Sequence, residues 1–116
     1  MLAGNRPQVA GDGAQTRDFL FVDDAVQALA LAADKGSGMT LNVGTGVETS
    51  VNGLVRMLAG MTGFKGKPER APARAFDIRR SALDHSLAER ELGWKPWTHL
   101  EDGLRETVAY LRGEAR

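Results

Sequence analysis

A chain of 116 residues is one domain's worth, and its 15 basic side chains are matched by 15 acidic ones, so no global field draws it to nucleic acid or an anionic membrane. With no cysteine, disulfide frameworks, thiolate metal sites and cysteine nucleophiles are excluded, in keeping with a reducing cytoplasm. No apolar run reaches the roughly 18 residues of a membrane span, and residues 1–10 lack the basic start and apolar core of a signal peptide.

Residues 1–8, MLAGNRPQ, read as the tail of a helix that Gly4 and Asn5 end and Pro7 keeps from continuing; a preceding piece of the protein is expected. In GDGAQTRDFLFV at residues 11–22, Gly11 and Gly13 suit a tight turn, because glycine alone takes positive φ without steric cost. Residues 19–22 are an aromatic and β-branched run of strand length, and Asp23 has the side chain of an N-cap. Residues 24–34 repeat Val26, Leu29, Ala30 and Ala33 at helical spacing, with Ala25, Ala28, Leu31 and Ala32 making the other faces nearly as apolar. This helix is expected to be packed on most sides and to end at Lys35 and Gly36. Residues 40–43 are the next expected strand, completing a right-handed β-α-β unit with residues 19–22.

Ser50 is an N-cap candidate for a helix with the stripe Val51, Leu54, Val55, Leu58 and Met61, closed by Gly63. Residues 64–81 carry proline breaks at Pro68 and Pro72, which predicts a basic loop with one or two short extended pieces. Leu83 with Asp84 opens a short helix closed by Gly93. Thr98 and Glu101 have the spacing of a capping box for a last helix, on which Leu100, Leu104, Val108 and Leu111 share one face. The fold class expected is α/β, a single domain over residues 1–116, with short strands and about four helices.

The residues that carry chemistry are arginines. Arg17 follows a glycine turn, and Arg74 sits in the proline-broken loop shortly before Asp77. A planar guanidinium presents its donors as a fixed fork that suits a pair of phosphate oxygens. An aspartate beside such a pair is suited to accept hydrogen bonds from ribose hydroxyls. The blander alternative for Arg17 is a structural ion pair with Asp18, weak if exposed. Arg79, Arg80, Lys65 and Lys67 read as a solvated face, and this cluster has too few interleaved aromatics for nucleic-acid binding. NVGTG at residues 42–46 is a poor phosphate loop, with no third glycine at the required spacing and no Gly-Lys-Ser/Thr ending. His85 and His99 have no partner at metal or triad spacing. Asp23 and Asp24 are explained by helix capping, and Trp94 and Trp97, flanking Pro96, by packing of a turn.

Four segments in order, GDGAQTRDFLFV (11–22), LNVGTGVETSVNGLV (41–55), RAFDIRRS (74–81) and LAERELGWKP (87–96), resemble the C-terminal, substrate-binding part of the extended short-chain dehydrogenase/reductase family. These are NAD-dependent nucleotide-sugar epimerases and dehydratases, UDP-glucose 4-epimerase-like. The resemblance covers nearly the whole chain. It implies that Arg17 and Arg74 bind a diphosphate, that Asp77 binds the ribose, and that the backbone of Gln8, Val9 and Ala10 reads the uracil edge. Ala10 departs from the aromatic residue that the family commonly carries there to stack on the base. The family's catalytic Tyr-x-x-x-Lys pair is absent, since the sole tyrosine, Tyr110, is followed at the fourth residue by Glu114; the GxxGxxG fingerprint is absent too. The expectation is therefore a substrate-binding portion without the N-terminal Rossmann half, inactive alone. It binds no cofactor itself, with NAD belonging to the full-length enzyme. The expected partners are a UDP- or dTDP-sugar and either the NAD-binding half or a homodimer partner. A reading from another class is a free-standing protein-interaction module derived from the same fold.

Overall fold

The computed structural model describes residues 1–114. Strand β1 (Gln8–Ala10) is followed by β2 (Thr16–Arg17), helix α1 (Val22–Asp34), β3 (Thr49–Ser50), α2 (Val51–Thr62), β4 (Glu69–Ala71), α3 (Ser86–Leu92) and α4 (Leu100–Leu111). β1 runs parallel to β4 with Val9 opposite Arg70, and β2 runs antiparallel to β3 with Arg17 opposite Thr49. The α/β class, the short strands and the four helices are as the sequence predicts.

Several helix ends also form where expected. The Ser50 hydroxyl accepts the Gly53 N–H at 3.0 Å, and Gly63 closes α2 in the left-handed region at φ 73°. Gly93 closes α3 in the same way at φ 67°, and the Lys35 N–H closes on the Leu31 carbonyl at 3.0 Å at the end of α1.

The β-α-β unit expected from residues 19–22 and 40–43 does not form: neither segment is a strand, and Val22 is already helical. An apolar run reports burial, whereas a strand also needs a ladder partner. Both segments instead lay Leu20, Leu41 and Val43 onto the core of Ala28, Ala88, Leu92 and Trp94. The parallel pair is made by β1 and β4. Residues 1–4 form a turn rather than a helix end, with the Gly4 N–H on the Met1 carbonyl at 3.0 Å. The N-cap of α1 is Phe21, not Asp23, and has no side-chain cap bond.

The expected capping box of α4 is replaced by a tertiary contact. His99 is the N-cap, and the Thr98 hydroxyl donates to the fully buried Asp24 carboxylate at 2.8 Å. A charged acceptor binds a hydroxyl more strongly than a neutral cap does. α3 begins one turn later than expected, at Ser86, whose N–H is held by Asp84 at 2.9 Å.

Residues 44–46 are clamped on Asp18. Its carboxylate accepts the N–H and the hydroxyl of Thr45, the Gly46 N–H at 2.8 Å and the Leu83 N–H at 3.1 Å. A Cβ on Gly44 would lie 2.8 Å from Asp18 Oδ2 and 2.8 Å from Leu83 Cβ. Gly44→Ala is accordingly expected to cost about 2 kcal/mol by overpacking, read as a lowered thermal midpoint.

The molecule is an open slab, 47 × 39 × 16 Å. It exposes 7860 Å², where a compact monomer of its 12.5 kDa would expose about 6,200 Å². α1, which the sequence predicts to be packed on most sides, is largely exposed. Only Asp24 and Ala28 are buried there, while Val22, Val26 and Leu29 are 60%, 56% and 72% exposed. Trp94 is buried against the core as expected, but Trp97 is exposed.

Candidate functional site

A hollow of about 290 Å³ is lined by Ala10, Gly11, Asp12, Gln15, Ala73, Arg74, Asp77, Ile78 and Arg79. It opens at the end of the β1–β4 pair, where Ala10 closes β1 and the Gly11 N–H donates to the Ala71 carbonyl at 2.9 Å. The chain then reverses through Gly13 at φ 71°, where any Cβ would sit 2.1 Å from Asn52 Oδ1. Gln15 is buried and donates from Nε2 to the Ala10 carbonyl at 3.0 Å. The Thr16 N–H reaches the Arg79 carbonyl at 2.9 Å, joining β2 to the far wall.

Of the residues singled out in the sequence, Ala10, Arg74 and Asp77 line this hollow. Arg17 stands behind Asp77: it is ion-paired with the Asp77 carboxylate and donates from Nη1 to the Ile78 carbonyl at 2.7 Å. Asp18, the alternative partner, is turned to the Thr45 loop instead. Arg74 makes no side-chain hydrogen bond or ion pair among the described residues, so its donors are unspent. Gln8 is exposed and Val9 is buried; they share β1 with Ala10 but neither lines the hollow.

Sequence reasoning passed over Asp12, Gln15 and Arg79. Arg79 is exposed as expected, yet it lines the hollow and makes a two-pronged pair with Asp12 at 2.8 and 2.9 Å. The Arg79 guanidinium, then the Ala14 N–H, hold the Asp12 carboxyl well below the usual range. Arg80 likewise grips Glu48 at 2.9 and 2.6 Å, and with the Thr16 hydroxyl pulls Glu48 down to about 2. Only the Gly-Asp-Gly turn hinted at any of this, since Asp in such a turn binds its own backbone two residues on, here Ala14 N–H at 2.9 Å.

The loop carrying Arg74 closes by the Asp77 N–H on the Arg74 carbonyl at 3.3 Å, and Phe76 within it has φ 64°. A left-handed backbone costs a non-glycine residue about 1 to 2 kcal/mol. Phe76 recovers none of this by burial, because its side chain is fully exposed.

A nicotinamide dinucleotide does not fit the residues present. Its pyrophosphate needs free backbone amides at a glycine turn opening a helix. Here the amides of Thr45 and Gly46 are already bound by Asp18, and α1 and α2 open on Phe21 and Ser50. No group of side chains that could hold a metal ion occurs among the described residues, and no helix is long and apolar enough to cross a membrane.

UDP-glucose 4-epimerase of Mycolicibacterium smegmatis is 44% identical, over 100% of this chain and 37% of its own length. The crystal structure of UDP-glucose 4-epimerase from Thermotoga maritima with UDP-glucose superposes with a TM-score of 0.95 at 43% identity, over 97% of this chain and 37% of that one. The structure of MoeE5 with UDP-glucuronic acid and NAD gives a TM-score of 0.86 at 37% identity, over 97% of this chain and 38% of that one. The chain thus spans little more than a third of the length of the proteins it matches. With the GDP-mannose 4,6 dehydratase family matching residues 1–107, the chain belongs to that family, within the NAD-dependent epimerases and dehydratases of the extended short-chain dehydrogenase/reductase type.

Proposed function

We propose that this chain binds the nucleoside diphosphate part of a UDP- or dTDP-sugar, as the substrate-binding portion of an NAD-dependent epimerase or dehydratase. The observation that carries the reading is a hollow lined by an arginine with unspent donors, Arg74, together with Asp77, to which a second arginine, Arg17, is ion-paired from behind. Arg74 takes phosphate oxygens as a fork. Arg17 adds its charge behind Asp77, whose second oxygen is available to ribose hydroxyls. Hydride transfer and acid/base chemistry at the sugar belong to the NAD-binding half, since the tyrosine of this chain, Tyr110, is on the outer face of α4 without a lysine one turn on. Titration of the chain with UDP and dTDP, followed by amide chemical shifts up to millimolar ligand, tests this. Arg74→Ala is expected to weaken UDP about ten- to a hundredfold, the worth of a charge-assisted hydrogen bond, and Arg17→Ala to weaken it less, because Arg17 acts through Asp77 rather than by a hydrogen bond to the ligand. Affinity unchanged in both variants would remove the clamp.

A second reading rests on the stripe of Val22, Val26 and Leu29, an exposed apolar face of the sort that marks an interface. It is compatible with the first, because the cover is the NAD-binding half, or a partner subunit if the chain acts alone as an interaction module. Sedimentation of the chain at increasing concentration separates the cases: self-association favours the module, and a monomer at all concentrations removes the homodimer.

A further inference from the structure

Phe76, beside the hollow, has a conformation that the packing of the fold does not account for. Among the described residues it is the single non-glycine with positive φ, and its ring is wholly in solvent. It occupies the third position of the turn closed by the Asp77 N–H on the Arg74 carbonyl, a place where glycine is relaxed and an aromatic residue is not. Strain that brings no burial is characteristic of residues kept for what they contact from outside. The neighbours of Phe76 define what that is, since Arg74 and Asp77 both line the hollow. Ala10, which also lines the hollow, offers only a methyl group.

Building on the nucleotide-sugar reading, we infer that Phe76 is the stacking platform for the nucleobase, a binding residue one step along the loop from the ribose-facing Asp77. A nucleotide whose phosphates meet Arg74 and whose ribose meets Asp77 carries its base past the Arg74–Asp77 turn. The ring at the tip of that turn presents a π face to it. Base-aromatic stacking tolerates any planar base, so this platform supplies affinity for a base rather than a choice among bases. The positive φ keeps the ring out of the hollow, which stays clear for the diphosphate and sugar.

The test compares UDP with inorganic diphosphate, titrated by amide chemical shifts into the wild-type chain and into Phe76→Gly and Phe76→Tyr. Glycine relaxes the turn, so Phe76→Gly is expected to melt higher than wild type, which also establishes that it folds. It is expected to bind UDP about tenfold or more weakly while holding inorganic diphosphate as before. Phe76→Tyr, which keeps the π face, is expected to bind UDP as wild type does. UDP affinity unchanged in Phe76→Gly, with Arg74→Ala still impaired, overturns the platform and leaves the clamp standing. A parallel loss of UDP and diphosphate in Phe76→Gly also overturns it, because the ring would then act through the arginine. No binding of either ligand by wild type removes the site itself and the platform with it.

Discussion

Replacing Asp24 with alanine is expected to lower the stability of the chain by about 4 kcal/mol, read from the midpoint of urea unfolding at unchanged m-value. Asp24 is fully exchanged from solvent into the protein: its carboxylate is completely buried, and both oxygens are used, one by the Thr98 hydroxyl at 2.8 Å and one by the Thr98 N–H at 3.1 Å. Its carbonyl accepts the indole N–H of Trp94 at 2.8 Å. A single residue in the first turn of α1 therefore ties that helix to the segment between α3 and α4, next to the core of Ala28, Ala88, Leu92 and Trp94. Alanine leaves two half-buried Thr98 donors without their acceptor, and it removes a negative charge from the positive end of the helix dipole. Relief of the desolvated charge offsets part of the loss, and for that reason the figure stays below the sum of the separate bonds. Asp24→Asn, which keeps the shape and one acceptor, is expected to lose about half as much. A double-mutant cycle with Thr98→Val isolates the pair; a coupling near zero would mean that packing, not this contact, holds α1.

Asp18→Ala is expected to cost about 3 kcal/mol, since it strands the amides of Thr45, Gly46 and Leu83 together. Desolvation is the largest single influence on Asp18 and pushes its pKa up, but the hydroxyl and amide of Thr45 and the amides of Leu83 and Gly46 outweigh it, so the net shift is downward from 3.8. The sign follows from proton linkage. A carboxyl with a depressed folded pKa contributes stability that is complete above its unfolded value and is lost as pH falls through the folded one. Wild type should thus lose stability on acidification below pH 4 more steeply than Asp18→Ala does. Parallel curves for the two proteins would show that Asp18 is not a source of the acid sensitivity. The same clamp bears on the site, because Leu83 lies three residues beyond Arg80 and Glu48, which anchors Arg80, lies two residues beyond Gly46.

The elements whose signals are local were legible in the chain. Ser50, Gly63 and Gly93 mark helix ends because capping and left-handed closure depend only on the residue and its immediate neighbours. Arg74 and Asp77, close in sequence and in one turn, could be paired on paper. The ion pair of Arg17 with Asp77 has no signal along the chain, since nothing in either segment specifies that the two meet. A solvated arginine and an exposed arginine gripping a distant aspartate, as Arg79 grips Asp12, look alike along a sequence.

What sequence alone determined is a set of local conformations: the cap of α2 at Ser50, the glycine closures of α2 and α3, and the glycine turn at residues 11–13. Tertiary structure decided the rest. It chose β1 with β4 over residues 19–22 with 40–43, gave the Thr98 hydroxyl to Asp24 rather than to its own helix, and left Val22, Val26 and Leu29 uncovered. The physical reason is common to all three. A hydrophobic or hydrogen-bonding residue states a need, but the partner that meets it is selected by competition among groups brought near in space, and that competition has no trace in the spacing of residues along the chain.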